Sequence, residues 1–185
     1  QKPTAFHLKI DTGMHRQGFT EEDFISALKL FSNLPVTAKA RQQFVGVFSH
    51  LAAASNQKTM NTVTEQIKKF ETFLDGLAQA GFPRHKLLKH LSATGGAIGY
   101  LEARYDLVRP GLGLYGLWPS ADWQHRWENK IKLQPILSWK TIIGEVKTIT
   151  ASGAVGYDFT ERIKAGAQLA VCPIGYWHGF PRALS

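Results

Sequence analysis

The sequence has little of what covalent cross-linking or membrane insertion requires. Its 185 residues include one cysteine, Cys172, which excludes an internal disulfide and is typical of a reducing compartment. No apolar run approaches the roughly 20 residues that cross a bilayer, so no membrane association is expected. The net charge of +8 comes from scattered lysines and arginines, which is weak support for nucleic-acid binding. The 44% share of hydrophobic residues is that of an ordinary globular protein.

The first 116 residues alternate between strand-like and helix-like patterns. Strands are predicted at 1–11, 45–50, 86–93 and 107–116. Helices are predicted after Thr20, over about 61–80, and briefly around 98–101. The first helix would bury Phe24, Leu28 and Phe31, and the second Val63, Ile67, Phe70, Leu74 and Leu77. This alternation implies parallel strands, which fit half of an eight-stranded barrel as well as a small open sheet.

The pattern changes after residue 117. Residues 118–131 are polar and aromatic without a clear period, and we expect them to form a linker. From residue 132 onwards the helix signal disappears, and β-branched residues over 136–150 predict an all-β domain. Residues 167–174 are predicted to be a buried strand, with Cys172 as a buried hydrophobic residue. Because too few strands follow to close a sheet, both ends of the chain look cut.

Polar side chains stand at the predicted ends of four strands, where parallel α/β proteins bind their ligands. Arg109 interrupts an apolar run and cannot lose its proton, so it needs a partner if it is buried. Taken alone, a carboxylate or solvent would satisfy it, and each other side chain also has a structural explanation. The glycines nearby either form turns or expose N–H groups to a phosphate. The side chains that converge on this predicted rim are Asp11, Arg16, His50, Thr94 and Arg109.

Five segments resemble the alanine racemase family, and they occur in the family's order. They are His7–Phe19, Gly46–His50, Val108–Gly116, Val155–Tyr157 and Pro173–Tyr176. The resemblance implies a pyridoxal-phosphate enzyme, with residues 1–117 as the second half of a (β/α)8 TIM-type barrel. Residues 118–131 would then be the linker and 132–185 the beginning of an all-β C-terminal domain. The lysine that forms the Schiff base would lie outside this chain, so the fragment alone is expected to be inactive.

The resemblance also implies roles for individual residues around the cofactor ring. Arg109 would hydrogen-bond the pyridine nitrogen, and Arg16 would contact the cofactor's phenolic oxygen and the substrate carboxylate. His50 would lie beside the ring and link Arg109 to the catalytic tyrosine. Lys9 matches a lysine that can be carbamylated and then steers Arg16.

The phosphate and the second catalytic base have their own matches. The phosphate would be bound by Thr94, Gly95, Gly111 and Leu112, the last two through their backbone N–H groups. Tyr176 matches a base that reaches into the site of a partner subunit, which implies a homodimer. Racemisation needs one base on each face of the α-carbon, and the absent lysine would supply the other. No metal is expected.

Two pairs of residues depart from the family's usual pattern. Thr94-Gly95 stands where the family usually has Asn-Ser, and Trp177-His178 where it usually has Ala-Asp. The function implied is interconversion of L- and D-alanine in the bacterial cytoplasm, supplying D-alanine for peptidoglycan. One alternative is a related racemase with another or a broader amino-acid substrate. A second alternative, prompted by the two departures, is a cofactor-binding homologue without turnover.

Overall fold

The computed structural model describes residues 4–33, 35, 39–181 and 183, and it gives no side-chain position for residues 31, 39 and 40. The predicted burial of Phe31 therefore lies outside the described residues. The chain forms two compact units, which divide between Ile136 and Leu137.

A parallel sheet organises the first unit. Its strands are β1 (Phe6–Lys9), β2 (Phe44–Phe48) and β3 (Leu88–His90), in the order β1-β2-β3. Both pairings are parallel, as the alternation of strands and helices predicts. All three strands are shorter than predicted, so the polar residues that follow them stand in loops just beyond the sheet.

The first unit also contains helices, and its two longest pack into the core through the apolar stripes seen in the sequence. The helices are α1 (Glu21–Ser32), α2 (Lys39–Gln43), α3 (Met60–Gln79), α4 (Thr94–Gly99) and α5 (Ala121–Trp127). Thr20 caps α1, since its hydroxyl accepts from the Asp23 amide and donates to the Asp23 carboxylate. Along α3, Val63, Phe70, Leu74 and Leu77 are at most 1% exposed, which confirms the predicted helix and its stripe.

The predicted strand over 107–116 is wrong for most of its length. Only Arg109 pairs with the sheet, through a parallel bridge to Ala93. Pro110 has no N–H to continue a ladder, and Leu112–Tyr115 form a 3₁₀ turn. The amides of Gly111 and Gly113 donate to the Thr94 hydroxyl instead of to a neighbouring strand. The segment therefore forms a loop over the end of the sheet.

The segment 118–131, expected to be a linker, contains α5 and packs into the first unit. Ser120 caps this helix by accepting from the Trp123 amide. The Trp123 ring is 1% exposed and donates through Nε1 to the Gly95 carbonyl at 3.0 Å. A Cβ at Gly99 would collide with that ring, so a glycine there makes room for it. The indole anchors the helix, which the lack of sequence periodicity concealed.

The second unit contains four short strands in two antiparallel pairs. They are β4 (Glu145–Thr148), β5 (Gly153–Val155), β6 (Glu161–Ile163) and β7 (Gln168–Val171), with β4 paired to β7 and β5 to β6. The all-β prediction is confirmed, but the expected burial of 167–174 is wrong. Val171 is 42% exposed and Cys172 is also exposed. Two-stranded ribbons lack a second layer, so their side chains remain open to solvent.

Among the described residues, no helix has both the length and the apolar character that a membrane crossing demands.

Candidate functional site

A cavity of about 480 Å³ opens beyond the C-terminal ends of β2 and β3. Six residues predicted to bind the cofactor line it: His50, Thr94, Gly95, Arg109, Gly111 and Leu112. They come from three separate loops of the first unit, because the parallel strands all end at the same edge. The structure thus brings together most of the predicted site.

The Arg109 guanidinium is held at one wall of this cavity by neutral acceptors. Its Nη2 donates to the Ser49 carbonyl at 2.7 Å and the Leu91 carbonyl at 3.2 Å. Its two terminal nitrogens also contact ring nitrogens, Nη1 on Nδ1 of His90 and Nη2 on Nδ1 of His50. The guanidinium carbon lies 5.4 Å from the centroid of the Phe48 ring. These contacts fix the plane of the guanidinium.

None of the described carboxylates pairs with Arg109, although a carboxylate is the usual partner of a buried arginine. Burial lowers the pKa of Arg109, but an arginine stays charged at any physiological pH. Its Nε–H finds no acceptor among the described residues. The site therefore holds one uncompensated positive charge and one unused donor, both suited to an electron-rich ligand.

Histidines around Arg109 are kept neutral. Burial, with Arg109 and His7 nearby, lowers the pKa of His90 to about 4. Burial also lowers the pKa of His50, helped by the positive charges of Arg109, Arg16 and Lys9. Near neutral pH both rings therefore act as hydrogen-bond acceptors, which is what the contacts with the arginine require.

A second part of the cavity wall is built largely of backbone. The Thr94 hydroxyl accepts from the amides of Gly111 at 3.0 Å and Gly113 at 3.1 Å, and it keeps its own hydrogen to donate. A Cβ at Gly111 would meet nothing within 4 Å, so the loop leaves open space there. Gly95 in α4 and Leu112 in its 3₁₀ turn lie in first turns, where N–H groups lack partners within the helix. This wall is suited to an anion.

A buried amide links the loops that carry the site. Gln66 of α3, 1% exposed, donates to the His50 carbonyl at 3.1 Å and to the Thr12 hydroxyl at 3.1 Å. Its oxygen accepts from the Ala52 amide at 2.8 Å. The Thr12 hydroxyl in turn contacts that of Ser49 at 2.9 Å. These bonds tie the ends of β1 and β2 to α3, so the backbone around Arg109 is fixed from behind.

Other predicted residues lie apart from this cavity. The Asp11 carboxylate accepts from the amides of Gly13, Met14 and His15, so it shapes its own loop. Burial alone would raise its pKa, but those three amides and His15 hold it below the ordinary value. Lys9 donates to Gln17 at 3.0 Å, and Arg16 is exposed. Both charges act on the cavity electrostatically, through their effect on the pKa of His50.

Tyr176 lies in the second unit, in a 3₁₀ turn formed by Tyr176–His178. Its side chain is 65% exposed, and that of Trp177 is 95% exposed.

Reasoning from sequence misses four residues that support the arginine: His7, His90, Ser49 and Gln66. His90 is hidden within an apolar strand. For His7 the available signal is alternation, since His7 and Lys9 lie on the same face of the first strand. Gln66 could be found as the one polar residue that interrupts the apolar stripe of α3.

Comparison with known proteins extends over almost the whole chain. Residues 1–119 match the family model described as alanine racemase, N-terminal domain, and residues 136–185 match alanine racemase, C-terminal domain. An alanine racemase of Methanococcus maripaludis is 34% identical over 99% of this chain and 46% of its own length. An alanine racemase 2 of Bacillus subtilis is 36% identical over 98% of this chain and 44% of its own length. The chain thus spans about half the length of these curated relatives.

Solved structures agree on the fold. The alanine racemase of Streptomyces lavendulae, a D-cycloserine producer, superposes with a TM-score of 0.79 at 27% identity, over 98% of this chain and 46% of that one. The alanine racemase of Bacillus anthracis with bound L-Ala-P gives a TM-score of 0.72 at 26% identity, over 94% and 42%. The predicted fold class, half of a TIM-type barrel followed by the start of a β domain, is confirmed.

Proposed function

The chain belongs to the alanine racemase family, and from this membership we propose that it forms part of a pyridoxal-phosphate-dependent alanine racemase. The observation that carries the proposal is the Arg109 guanidinium, held by neutral acceptors at a cavity whose other wall is backbone amide. Such a pair of walls fits a ligand that has an electron-rich ring at one end and a phosphate at the other.

The residues present fit pyridoxal phosphate. The free Nε–H of Arg109 can donate to a pyridine nitrogen. The Thr94 hydroxyl and the amides of Gly95 and Leu112 can contact the phosphate, and Gly111 leaves space for it, although its own amide, predicted to bind the phosphate, donates to Thr94 instead. The amides of Gly111 and Gly113 already donate to the Thr94 oxygen. The hydroxyl hydrogen of Thr94 can therefore donate to the phosphate in their place. The threonine thereby offsets the departure from the usual Asn-Ser.

When bound, pyridoxal phosphate withdraws electrons from the substrate's α-carbon and makes its hydrogen acidic. Arg109 would keep the ring nitrogen unprotonated, because a second positive charge beside the guanidinium is unfavourable. Arg16 would bind the substrate carboxylate, and Lys9 would steer that arginine. His50 would connect Arg109 to the catalytic tyrosine.

Tyr176 is proposed as the base on one face of the α-carbon, and it would act in the site of a second subunit. Its 65% exposure leaves the phenol free to contact another chain. To work as a base near neutral pH, a phenol needs a polar partner, and the proposed site supplies one in His50. A homodimer with shared sites follows from this arrangement.

The test is racemisation by a full-length protein that contains this chain. We expect pyridoxal phosphate to bind and alanine to racemise in both directions, with serine and lysine racemised more slowly. Faster turnover of serine or lysine would support the related racemase of broader substrate instead. Cofactor binding without racemisation of any amino acid would support the homologue without turnover.

The shared site can be tested by mixing subunits. A Tyr176→Phe chain and an Arg109→Ala chain are each expected to be inactive as homodimers. In a mixed dimer, the Tyr176→Phe subunit keeps Arg109 and would receive Tyr176 from its partner. One of the two sites of a mixed dimer is then complete, so up to about a quarter of the parent activity is expected after subunit exchange in an equal mixture, in which half of the dimers are mixed. No recovery would mean that Tyr176 serves its own subunit.

The 185-residue chain by itself is proposed to be inactive, because it matches only one of the family's two bases. Racemisation by the purified chain would contradict this. We also propose that the protein acts in the cytoplasm, where its product would enter peptidoglycan synthesis. Fractionation of cells with an antibody against the protein would test the location.

A further inference from the structure

Four side chains form a continuous line that leads from β1 to the cavity: His7, His90, Arg109 and His50. Nδ1 of His7 lies 2.7 Å from Nε2 of His90, which is 83 residues away in sequence. The other nitrogen of His90, Nδ1, contacts Nη1 of Arg109. Arg109 then reaches Nδ1 of His50 at 3.3 Å. The line therefore begins at β1 and ends at the proposed cofactor site.

The direction of each hydrogen bond in this line is set by chemistry. A guanidinium only donates, so Nδ1 of His90 has no proton and accepts. A neutral imidazole carries its proton on the other nitrogen, so Nε2 of His90 donates to Nδ1 of His7. His7 therefore accepts at Nδ1 and carries its own proton on Nε2. An acceptor at His7 is what keeps His90 in the tautomer that can receive Arg109.

The fold leaves room for these rings and confines them. Gly46 lies opposite His7 in the parallel register, and a Cβ there would lie 2.5 Å from atoms of the His7 ring. The Phe48 ring stacks on His90 with centroids 4.8 Å apart and planes 9° apart. The imidazole of His90 is thus restrained by stacking on one side and by His7 at its edge. Such a restrained ring can orient the arginine that it contacts.

We propose that His7 is a positioning residue for Arg109: by accepting from His90, it fixes the tautomer and the place of the ring that holds the guanidinium. Neither His7 nor His90 lines the cavity, so they act through the arginine. The role of Arg109 in catalysis rests on the proposed function. The hydrogen bonds that join the four side chains do not depend on that proposal.

The competing explanation is that His7 only fills space above Gly46. Two variants separate the explanations, because they change shape and hydrogen bonding in opposite ways. His7→Phe keeps the ring but removes the acceptor. His7→Asn loses volume, yet its carbonyl oxygen stands near the position of Nδ1 and can accept. Positioning through the acceptor predicts that Asn is the better replacement, and space filling predicts that Phe is.

In the holoenzyme, kcat for alanine is expected to fall roughly five- to tenfold in His7→Phe, as for loss of one hydrogen bond. His7→Asn should stay within about twofold of the parent protein. His85→Phe, at an exposed histidine outside the line, should change nothing and serves as the control. Retained activity in His7→Phe combined with a loss in His7→Asn would overturn the proposal.

Nitrogen NMR of histidine-labelled protein tests the line without any activity measurement. The parent protein is expected to show His90 protonated on Nε2, with that proton protected from exchange with water. The protection should disappear in His7→Phe and persist in His7→Asn. A His90 proton on Nδ1 in the parent protein would overturn the proposal. Absence of alanine racemisation with the expected tautomer in place would reject the proposed function and leave the line standing.

Discussion

The two units of the chain present their proposed functional residues in opposite ways. In the first unit, Arg109 contacts four neutral acceptors, and the loops that carry them are tied to α3 by Gln66. In the second, Tyr176 stands 65% exposed in a short turn of a unit built from two-stranded ribbons. The first site is organised by its own chain. In the second unit the proposed base is exposed, and the proposed function requires another subunit to surround it.

This contrast predicts different consequences for stability and activity. A change at the arginine should affect both, because its partners lose their donor when it is removed. A change at the tyrosine should affect activity alone.

Arg109→Leu in the full-length protein is expected to give the largest effect. Loss of the guanidinium removes the donor to the pyridine nitrogen, and racemisation should fall by roughly 10²–10³ or more. It also leaves two backbone carbonyls and two imidazoles without their donor, so the free energy of unfolding should fall by about 1–3 kcal/mol. Steady-state kinetics and denaturant titration measure the two quantities. Full stability with lost activity would mean that these contacts do not organise the loop.

Tyr176→Phe is expected to lower kcat by roughly 10² or more, since a positioned proton-transfer group typically contributes that much. The free energy of unfolding of the subunit should be unchanged, because the exposed hydroxyl has no partner within its own chain among the described residues. Exchange of the α-hydrogen with deuterated solvent, followed from L- and from D-alanine, would locate the loss on one face. Equal losses from both enantiomers would contradict the assignment of one face to Tyr176.

The free energy of unfolding is expected to depend on pH through His90, a residue of the first unit. His90 titrates near 6.5 when unfolded and about 4 when folded, so the unfolded chain binds the extra proton in that window. The stabilisation is complete above pH 6.5 and is lost as the pH falls towards 4, by up to about 3 kcal/mol. The difference in unfolding free energy between the cofactor-free parent and His90→Gln should shrink over that range. A difference independent of pH would show that folding does not lower the pKa of His90.

The smallest effects come from a matched pair of valines. Val47 in β2 is 0% exposed, and its truncation to Ala should cost roughly 2 kcal/mol through lost burial and a residual cavity. Val171 in β7 is 42% exposed, and Val171→Ala should stay within about 0.5 kcal/mol. Thermal unfolding of both variants checks the difference. A large cost at Val171 would show that a surface outside this unit covers it in the full-length protein.

Prediction from sequence succeeds where the pattern is local. The cap at Thr20, the stripe of α3 and the succession of parallel strands all follow from neighbouring residues. It fails at 107–116, since an apolar run with β-like composition cannot reveal that Thr94 will take its amides. It fails again at 118–131, where one buried indole, rather than a periodic stripe, attaches the helix.

The candidate site shows the same division. The predicted strand ends alone place His50, Thr94 and Arg109 at one rim, and these three residues line one cavity. The same reasoning places Asp11 there too, although its carboxylate is taken up by three amides of its own loop. It also predicts a carboxylate or solvent as the simplest partner of Arg109, and the fold provides neutral acceptors instead.

By itself, the sequence determined the parallel strands β1 to β3, the helices α1 and α3, and the segments shared with the alanine racemase family. These features depend on periodicity and on short runs of residues. Only the tertiary structure decided that His7 supports His90 and that His90 receives Arg109. Those contacts join residues up to 83 positions apart, and they depend on ring orientation and on the space left by Gly46. No pattern of neighbours along the chain encodes such distances.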